Sequence, residues 1–129
     1  MRFARVTKAA VVTTTAVLLG FGGLATQAQA SPGAGYIGPG RNNNTHGVWC
    51  VQHLVNDVAQ SHGKGRPLAE DGKFGNNTLS WVKWYQGASG HGLVKDGDVG
   101  KGTGGWLLLD GDSYYGGRNY CYTYVPSYF

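Results

Sequence analysis

LAEDGKFGNNTLSW, at residues 68–81, recurs as LVKDGDVGKGTGGW at residues 93–106. Both segments follow Leu-x-x-Asp-Gly-x-x-Gly-x-x-Thr-x-x-Trp, and an internal repeat says more about architecture than any single motif. Asp-Gly is typical of a tight turn, because glycine accepts positive φ and aspartate can bond the backbone ahead of it. The pattern predicts two turn-rich loops that each lead into a helix, with the threonine as N-cap. Their structural residues are Asp71, Gly72, Gly75 and Thr78 in the first copy and Asp96, Gly97, Gly100 and Thr103 in the second.

Three helices are predicted around these loops. Apolar residues recur at helical spacing over residues 48–61, which indicates an amphipathic helix with Asn44 or Thr45 as its cap. A second helix is predicted to begin at Thr78 and a third at Thr103. We therefore expect an all-α fold of three short helices joined by two Asp-Gly loops.

The first thirty residues have the three parts of a secretory signal peptide. Basic residues open the chain, an apolar stretch follows over residues 9–25, and Ala28-Gln29-Ala30 matches the cleavage pattern. A membrane-spanning helix is disfavoured, because the stretch is short and interrupted by glycines. We expect cleavage after Ala30, a secreted protein in the medium or at the cell wall, and no membrane attachment afterwards.

The charge of the mature chain argues against binding to nucleic acid. The whole sequence has 11 basic and 7 acidic side chains and a net charge of +4. Arg2, Arg5 and Lys8 lie in the predicted leader, and every acidic residue follows it. The mature chain is therefore nearly neutral, whereas nucleic acid and anionic membranes need a concentrated basic face.

Two cysteines, Cys50 and Cys121, follow the leader. In an exported protein an even cysteine count predicts a disulfide, and only one pairing is possible here. The bridge would tie the end of the chain to the first helix. The predicted organisation is a signal peptide (1–30), a flexible arm without periodicity (31–44), a helical domain (45–109) and a disulfide-tethered, Tyr-rich tail (110–129).

Catalytic and metal-binding patterns are weak. Asp71 and Asp96 could be taken for a catalytic carboxylate pair, but their repeated context favours turn formers. Glu70 is the only glutamate, and a general acid would need a second carboxylate and a raised pKa. The four histidines lack zinc-binding spacing, and Cys50 has a disulfide partner. We therefore predict a non-enzyme without a metal or cofactor.

The spacing of the first helix, both loops and the segment between them resembles the peptidoglycan-binding domain found on many bacterial cell-wall hydrolases. The matching segments are Val51-Gln52 with Leu54, residues 71–78, Trp81–Gln86 and residues 96–103. The resemblance covers about residues 48–109 and implies a three-helix domain that binds peptidoglycan without cleaving it. The chain departs from the family at Trp81 and Trp84, where small residues are usual, and in its cysteines and tail.

Ligand contacts are predicted on the edge formed by the first loop and the second helix. On a helical wheel Trp84 falls outside the apolar face, so it is either exposed for stacking on wall material or covered by the Tyr-rich tail. Arg66, Asn76, Asn77 and Ser80 offer guanidinium, amide and hydroxyl groups that suit acetamido and carboxylate partners.

We expect a monomer that binds glycan or stem peptide, alone or beside a separately encoded hydrolase. Two other functions stay open. One is a small cell-wall hydrolase of amidase or peptidase type. The other is a secreted interaction or inhibitor module that uses the tail.

Overall fold

The computed structural model describes residues 34–111 and 120–129. The predicted signal peptide (1–30) and part of the predicted tail (112–119) lie outside the described residues. Within them the protein is all-α, as predicted, with no β-strand. Its helices are α1 (Thr45–Ser61), α2 (Asn76–Ala88), α3 (Lys101–Asp110) and α4 (Tyr120–Tyr124). None of these helices combines the length and the apolar character that crossing a bilayer requires.

The central helix is α1, which contacts α2, α3 and α4. Its start is set by Asn44, whose side-chain oxygen accepts hydrogen bonds from the backbone N–H groups of His46 and Gly47. The helix therefore begins before the predicted Val48, but it ends at the predicted Ser61. Its apolar face is almost completely buried and consists of Val48, Val51, Leu54, Val55 and Val58.

The threonines of the two loops are not N-caps, so this part of the prediction is wrong. α2 and α3 begin at Asn76 and Lys101, and a glycine takes the cap position of each without a side-chain hydrogen bond. Thr78 and Thr103 lie in the first helical turn and are buried. Their hydroxyls point to the core side, where each accepts a hydrogen bond from a buried glutamine.

The described part of the arm, residues 34–44, packs against the domain instead of forming a flexible segment. Ile37 is 2% exposed and pairs with Val99 through backbone hydrogen bonds of 3.1 and 2.7 Å. Arg41 Nε and Nη2 each lie 3.0 Å from a different carboxylate oxygen of Asp98. Because both contacts join distant parts of the chain, the lack of local periodicity gave no sign of them.

The predicted disulfide is confirmed and brings the tail into the core. Cys50 of α1 and Cys121 of α4 are bonded, with 5.6 Å between their Cα atoms, and neither is exposed. Val125, just after α4, is also fully buried. A Cβ on Gly104 would lie 2.0 Å from the Pro126 carbonyl oxygen, so glycine at this position allows the tail backbone to approach α3.

Candidate functional site

The first Asp-Gly loop is held by a buried glutamine of α1. Gln52 Nε2 lies 3.0 Å from Asp71 Oδ1, 3.0 Å from the Lys73 carbonyl oxygen and 3.1 Å from Thr78 Oγ1. Gln52 Oε1 accepts a 2.9 Å hydrogen bond from the backbone N–H of Gly72. One amide side chain, only 1% exposed, therefore contacts four polar groups of the loop and of the first turn of α2, with three acceptors sharing its two N–H groups.

The second loop has the same arrangement around Gln86 of α2. Its Nε2 lies 3.1 Å from Asp96 Oδ1, 2.9 Å from the Asp98 carbonyl oxygen and 3.2 Å from Thr103 Oγ1. Its Oε1 accepts a 2.9 Å hydrogen bond from Gly97 N–H. The sequence repeat thus corresponds to a repeated structural unit in which a glutamine of the preceding helix binds the loop that follows it.

A groove of about 400 Å³ lies beside the first loop. Three parts of the chain form it: the start of α1, the loop, and α4 of the disulfide-bonded tail. Its lining is aromatic and acidic, and consists of Thr45, His46, Trp49, Glu70, Asp71, Gly72 and Tyr120. We call this the first-loop groove.

Aromatic rings form one wall of the first-loop groove. The half-buried Trp49 ring stacks on His53, with 4.9 Å between centroids and 7° between planes, and meets Tyr120 edge-on at 5.8 Å. The Tyr120 hydroxyl forms a hydrogen bond with His46 Nδ1, while 38% of Tyr120 stays exposed. Because Tyr120 directly precedes Cys121, the disulfide holds this wall in place.

Glu70 is fixed by a network behind the groove. Asn56 Nδ2 and Arg66 Nη2 donate hydrogen bonds of 2.9 Å to its Oε2, and His53 Nδ1 lies 3.1 Å from its Oε1. Partial burial by itself would raise the pKa of Glu70. The hydrogen bonds from Asn56, Arg66 and His53 together have the larger effect and lower it, so the pKa lies below its ordinary value. Glu70 is therefore ionised at neutral pH.

Asp71 presents an exposed carboxylate to the groove. Its Oδ1 accepts hydrogen bonds from the Lys73 backbone N–H, at 3.0 Å, and from Gln52. These bonds favour the charged form and lower the pKa of Asp71. The groove therefore carries a second fixed negative charge.

Arg66 and Trp84, two of the predicted ligand residues, are engaged within the protein. Arg66 pairs with Asp57 at 2.7 Å as well as with Glu70. Trp84 is half-buried against the core, and its ring meets His62 and Trp81 edge-on at 5.5 and 5.2 Å. Trp84 is thus not fully exposed. Its described ring contacts come from the residue that ends α1 and from α2 itself, which the sequence did not indicate.

The other predicted ligand residues, Asn76, Asn77 and Ser80, are exposed on the first turns of α2. They do not line the first-loop groove, and neither do Arg66 and Trp84. The ligand-binding role predicted for these five residues is therefore an alternative to the first-loop groove, and it stays a prediction.

Sequence reasoning missed the aromatic residues of the groove, although one signal for them was present. Trp49 precedes Cys50 and Tyr120 precedes Cys121, so a bridge between the cysteines brings both aromatic residues together. The contribution of His46 had no such signal, because it depends on the position of α4.

Among residues 34–111 and 120–129, no cluster of three or more His, Cys, Asp or Glu side chains is arranged to hold a metal ion. Comparison of the chain with protein-family models, curated proteins and solved structures finds no match. The function is therefore inferred from the geometry of the site and from the sequence resemblance.

Proposed function

We propose that this protein is a secreted, non-catalytic binder of bacterial peptidoglycan and that the first-loop groove is its binding site. The observation that carries the proposal is the combination of Trp49 and Tyr120 with the exposed Asp71 carboxylate in one groove. Aromatic rings bind the apolar faces of sugars and peptides, and a few placed polar groups provide orientation.

We also propose that α1, α2 and α3 form the three-helix arrangement of the peptidoglycan-binding domain, with arm and tail as additions. Gln52 and Gln86 support this, because both belong to the segments that resemble the family and both bind an Asp-Gly loop. Since a fold alone does not determine function, the proposal depends on the groove as well.

The charges in the groove favour binding over hydrolysis. A general acid must hold a proton at the working pH, which requires a raised carboxyl pKa. The pKa values of Glu70 and Asp71 are both lowered instead. Fixed carboxylates of this kind suit recognition of hydroxyl, amide or ammonium groups.

The proposed partner is the wall polymer, bound by a monomer that acts alone or beside a separate hydrolase. Sedimentation with purified insoluble peptidoglycan tests the binding, and the turbidity of the same suspension tests hydrolysis. We expect the protein in the pellet without clearing, and no pelleting with cellulose, which serves as the control polymer. Clearing of the suspension would favour the hydrolase alternative, and failure to pellet with peptidoglycan would overturn the proposal.

Secretion is a separate part of the proposal. Intact-mass measurement of the exported protein should show a chain that lacks residues 1–30. A mass that includes the apolar leader would contradict the proposed processing.

A further inference from the structure

The first-loop groove has a charge pattern that selects among the chemical groups of the wall. We infer that it binds a primary ammonium group, and that the protein therefore recognises free amino groups of peptidoglycan and not carboxylate ends. This inference rests on the proposed function, because it assigns a ligand group to the same groove.

The groove lining holds two acidic side chains and, among the described residues, no lysine or arginine. Glu70 and Asp71 are the acidic side chains of that lining. Outside the lining, Arg66 is shared between two carboxylates, Asp57 and Glu70, at 2.7 and 2.9 Å, and Lys73 lies near Asp71, so the positive charges offset the negative ones only in part. A ligand carboxylate would therefore meet like charges, whereas an ammonium group would meet opposite ones.

The N-terminus of α1 offsets the negative charge of the groove only weakly. Unpaired N–H groups at a helix N-terminus attract anions. The Asn44 side chain already accepts from the N–H groups of His46 and Gly47, at 2.9 and 3.2 Å. Because the cap occupies these donors, the start of α1 attracts an anion less than an uncapped helix would.

The aromatic wall suits the same ligand. Ammonium groups are attracted to Trp and Tyr rings, and Trp49 and Tyr120 line the groove beside Asp71. A long amino side chain also has an apolar stem that packs on aromatic surface while its charged end reaches a carboxylate. The groove thus offers a partner to each part of an alkylammonium group.

Two components of a cell wall can supply such a group. One is the free side-chain amine of a diamino acid in the peptide, and the other is the amine of a glycan sugar that lacks its acetyl group. The shared chemistry is the primary ammonium group, and separate ligands distinguish the two sources.

The matched variants Asp71→Asn and Asp96→Asn test the charge. Each removes one negative charge from an Asp-Gly loop, and the new side chain keeps an oxygen that can accept from the loop glutamine. Titration calorimetry with a soluble wall peptide that has a free side-chain amine should show about fivefold weaker binding for Asp71→Asn. Asp96→Asn should bind like the parent. Equal binding by both variants would overturn the inference.

Acetylation of the ligand tests the ammonium group itself. Blocking the amine of the same peptide should weaken binding about tenfold, because both the ion pair and the cation–π contact are lost. Binding of a glucosamine oligomer that depends on Asp71 would support the ammonium site and assign it to glycan. An acetylated peptide that binds as well as the free amine would overturn the inference.

Insoluble wall, untreated and acetylated, separates this inference from the proposed function. Equal sedimentation with both would overturn the ammonium site and leave peptidoglycan binding intact. Failure to bind the untreated wall would overturn the proposed function, and the inference with it.

Discussion

The two Asp-Gly loops share a framework, but they differ in the surfaces that they present. Gly72 and Gly97 lie at φ of +75° and +80°. Each also packs against the equivalent residue of the preceding helix: an added Cβ would lie 2.5 Å from Thr45 Cγ2 in the first loop and 2.2 Å from Leu79 Cδ1 in the second. The repeat therefore extends from the sequence to the helix packing.

The side chains around this framework are not repeated. Counted from each glutamine and each Asp-Gly pair, Trp49 and Glu70 of the first unit correspond to Lys83 and Lys95 of the second. The first loop thus has an aromatic and acidic neighbourhood, whereas the second has lysine stems. An added Cβ on Gly97 would lie 3.4 Å from Lys83 Cε, which shows that this stem reaches the second loop.

The two ends of the described chain also pack against different loops. The arm covers the second loop, because the Tyr36 ring lies 2.8 Å from the position of a Cβ on Gly100 and Arg41 pairs with Asp98. The tail instead places Tyr120 at the edge of the first-loop groove. The repeat therefore supplies the framework, whereas the aromatic wall of the first-loop groove comes from residues outside the repeat.

Loss of the disulfide has the largest expected effect on this asymmetry. Replacing Cys50 and Cys121 together by alanine should lower the free energy of unfolding by about 4 kcal/mol on the chain-entropy model. Urea unfolding of the double variant measures the loss. Wall binding below the melting temperature should fall as well, because Tyr120 is no longer held beside Trp49. A double variant that is as stable as the parent would contradict the structural role of the tail.

The loop glutamines test whether the two frameworks are equivalent. Gln52→Ala and Gln86→Ala should each lower the free energy of unfolding by about 3 kcal/mol, because each leaves buried loop groups without partners. The exposed Gln60→Ala is the control and should cost about 1 kcal/mol or less, because it removes only one exposed hydrogen bond, from Arg66 Nη1 at 3.0 Å. Clearly unequal losses for the two loop variants in urea melts would show that the frameworks differ.

The loop glycines should differ in a defined direction. Gly72→Ala and Gly97→Ala both place a side chain at positive φ, which costs about 1 kcal/mol. Gly72→Ala should cost about 2 kcal/mol in total, because its Cβ would also lie 3.0 Å from the backbone oxygen of Thr45. At Gly97 the nearest atom is a Leu79 methyl group, which can rotate away.

Thermal or urea melts measure these two losses. Gly35→Ala serves as the control, because its Cβ would meet nothing within 4 Å. A larger loss at Gly97 than at Gly72 would contradict the described packing.

The acid sensitivity of the two loops should have different origins, with small effects. The pKa of Asp71 is lowered by hydrogen bonds from Lys73 N–H and Gln52, and that of Asp98 by its bond to Arg41. Because both folded pKa values lie below the ordinary value of about 3.9, the stability they contribute is present above that pH and lost as pH falls through the folded values.

Urea melts below about pH 5, at low and high salt, separate these origins. Asp71→Asn and Asp98→Asn should each make stability less dependent on pH. Salt should weaken only the contribution of Asp98, since its partner is an exposed guanidinium group. If salt abolished the contribution of Asp71 as well, hydrogen bonding would not be the origin of its lowered pKa.

Local patterns in the sequence predicted the helical fold, the buried face of α1 and the disulfide, because each depends on spacing or on a single pairing. Asn44 was predicted correctly as the cap of α1, whereas the threonine caps of α2 and α3 were wrong: Thr78, for example, bonds to Gln52 of another helix and is not the cap of α2. The burial of Ile37 and the pairing of Arg41 are likewise long-range contacts without a local pattern.

The groove could not be predicted from local sequence patterns, because it too depends on long-range contacts. Its wall joins His46 and Trp49 of α1 with Tyr120 of the tail, and the contact exists only after the disulfide has brought the two segments together. Helical periodicity instead predicted Trp84 as the aromatic ligand residue, although this ring packs against His62 and Trp81.

Wall binding by Trp49→Ala and Trp84→Ala tests whether the first-loop groove is the binding site. Both tryptophans are half-buried and pack against the core, so they form a matched pair, and only Trp49 lines the first-loop groove. In sedimentation titrations below both melting temperatures, Trp49→Ala should bind insoluble peptidoglycan about tenfold more weakly than the parent, as expected for a lost aromatic anchor. Trp84→Ala should bind like the parent. Retained binding by Trp49→Ala together with lost binding by Trp84→Ala would contradict the first-loop groove and place the site on α2.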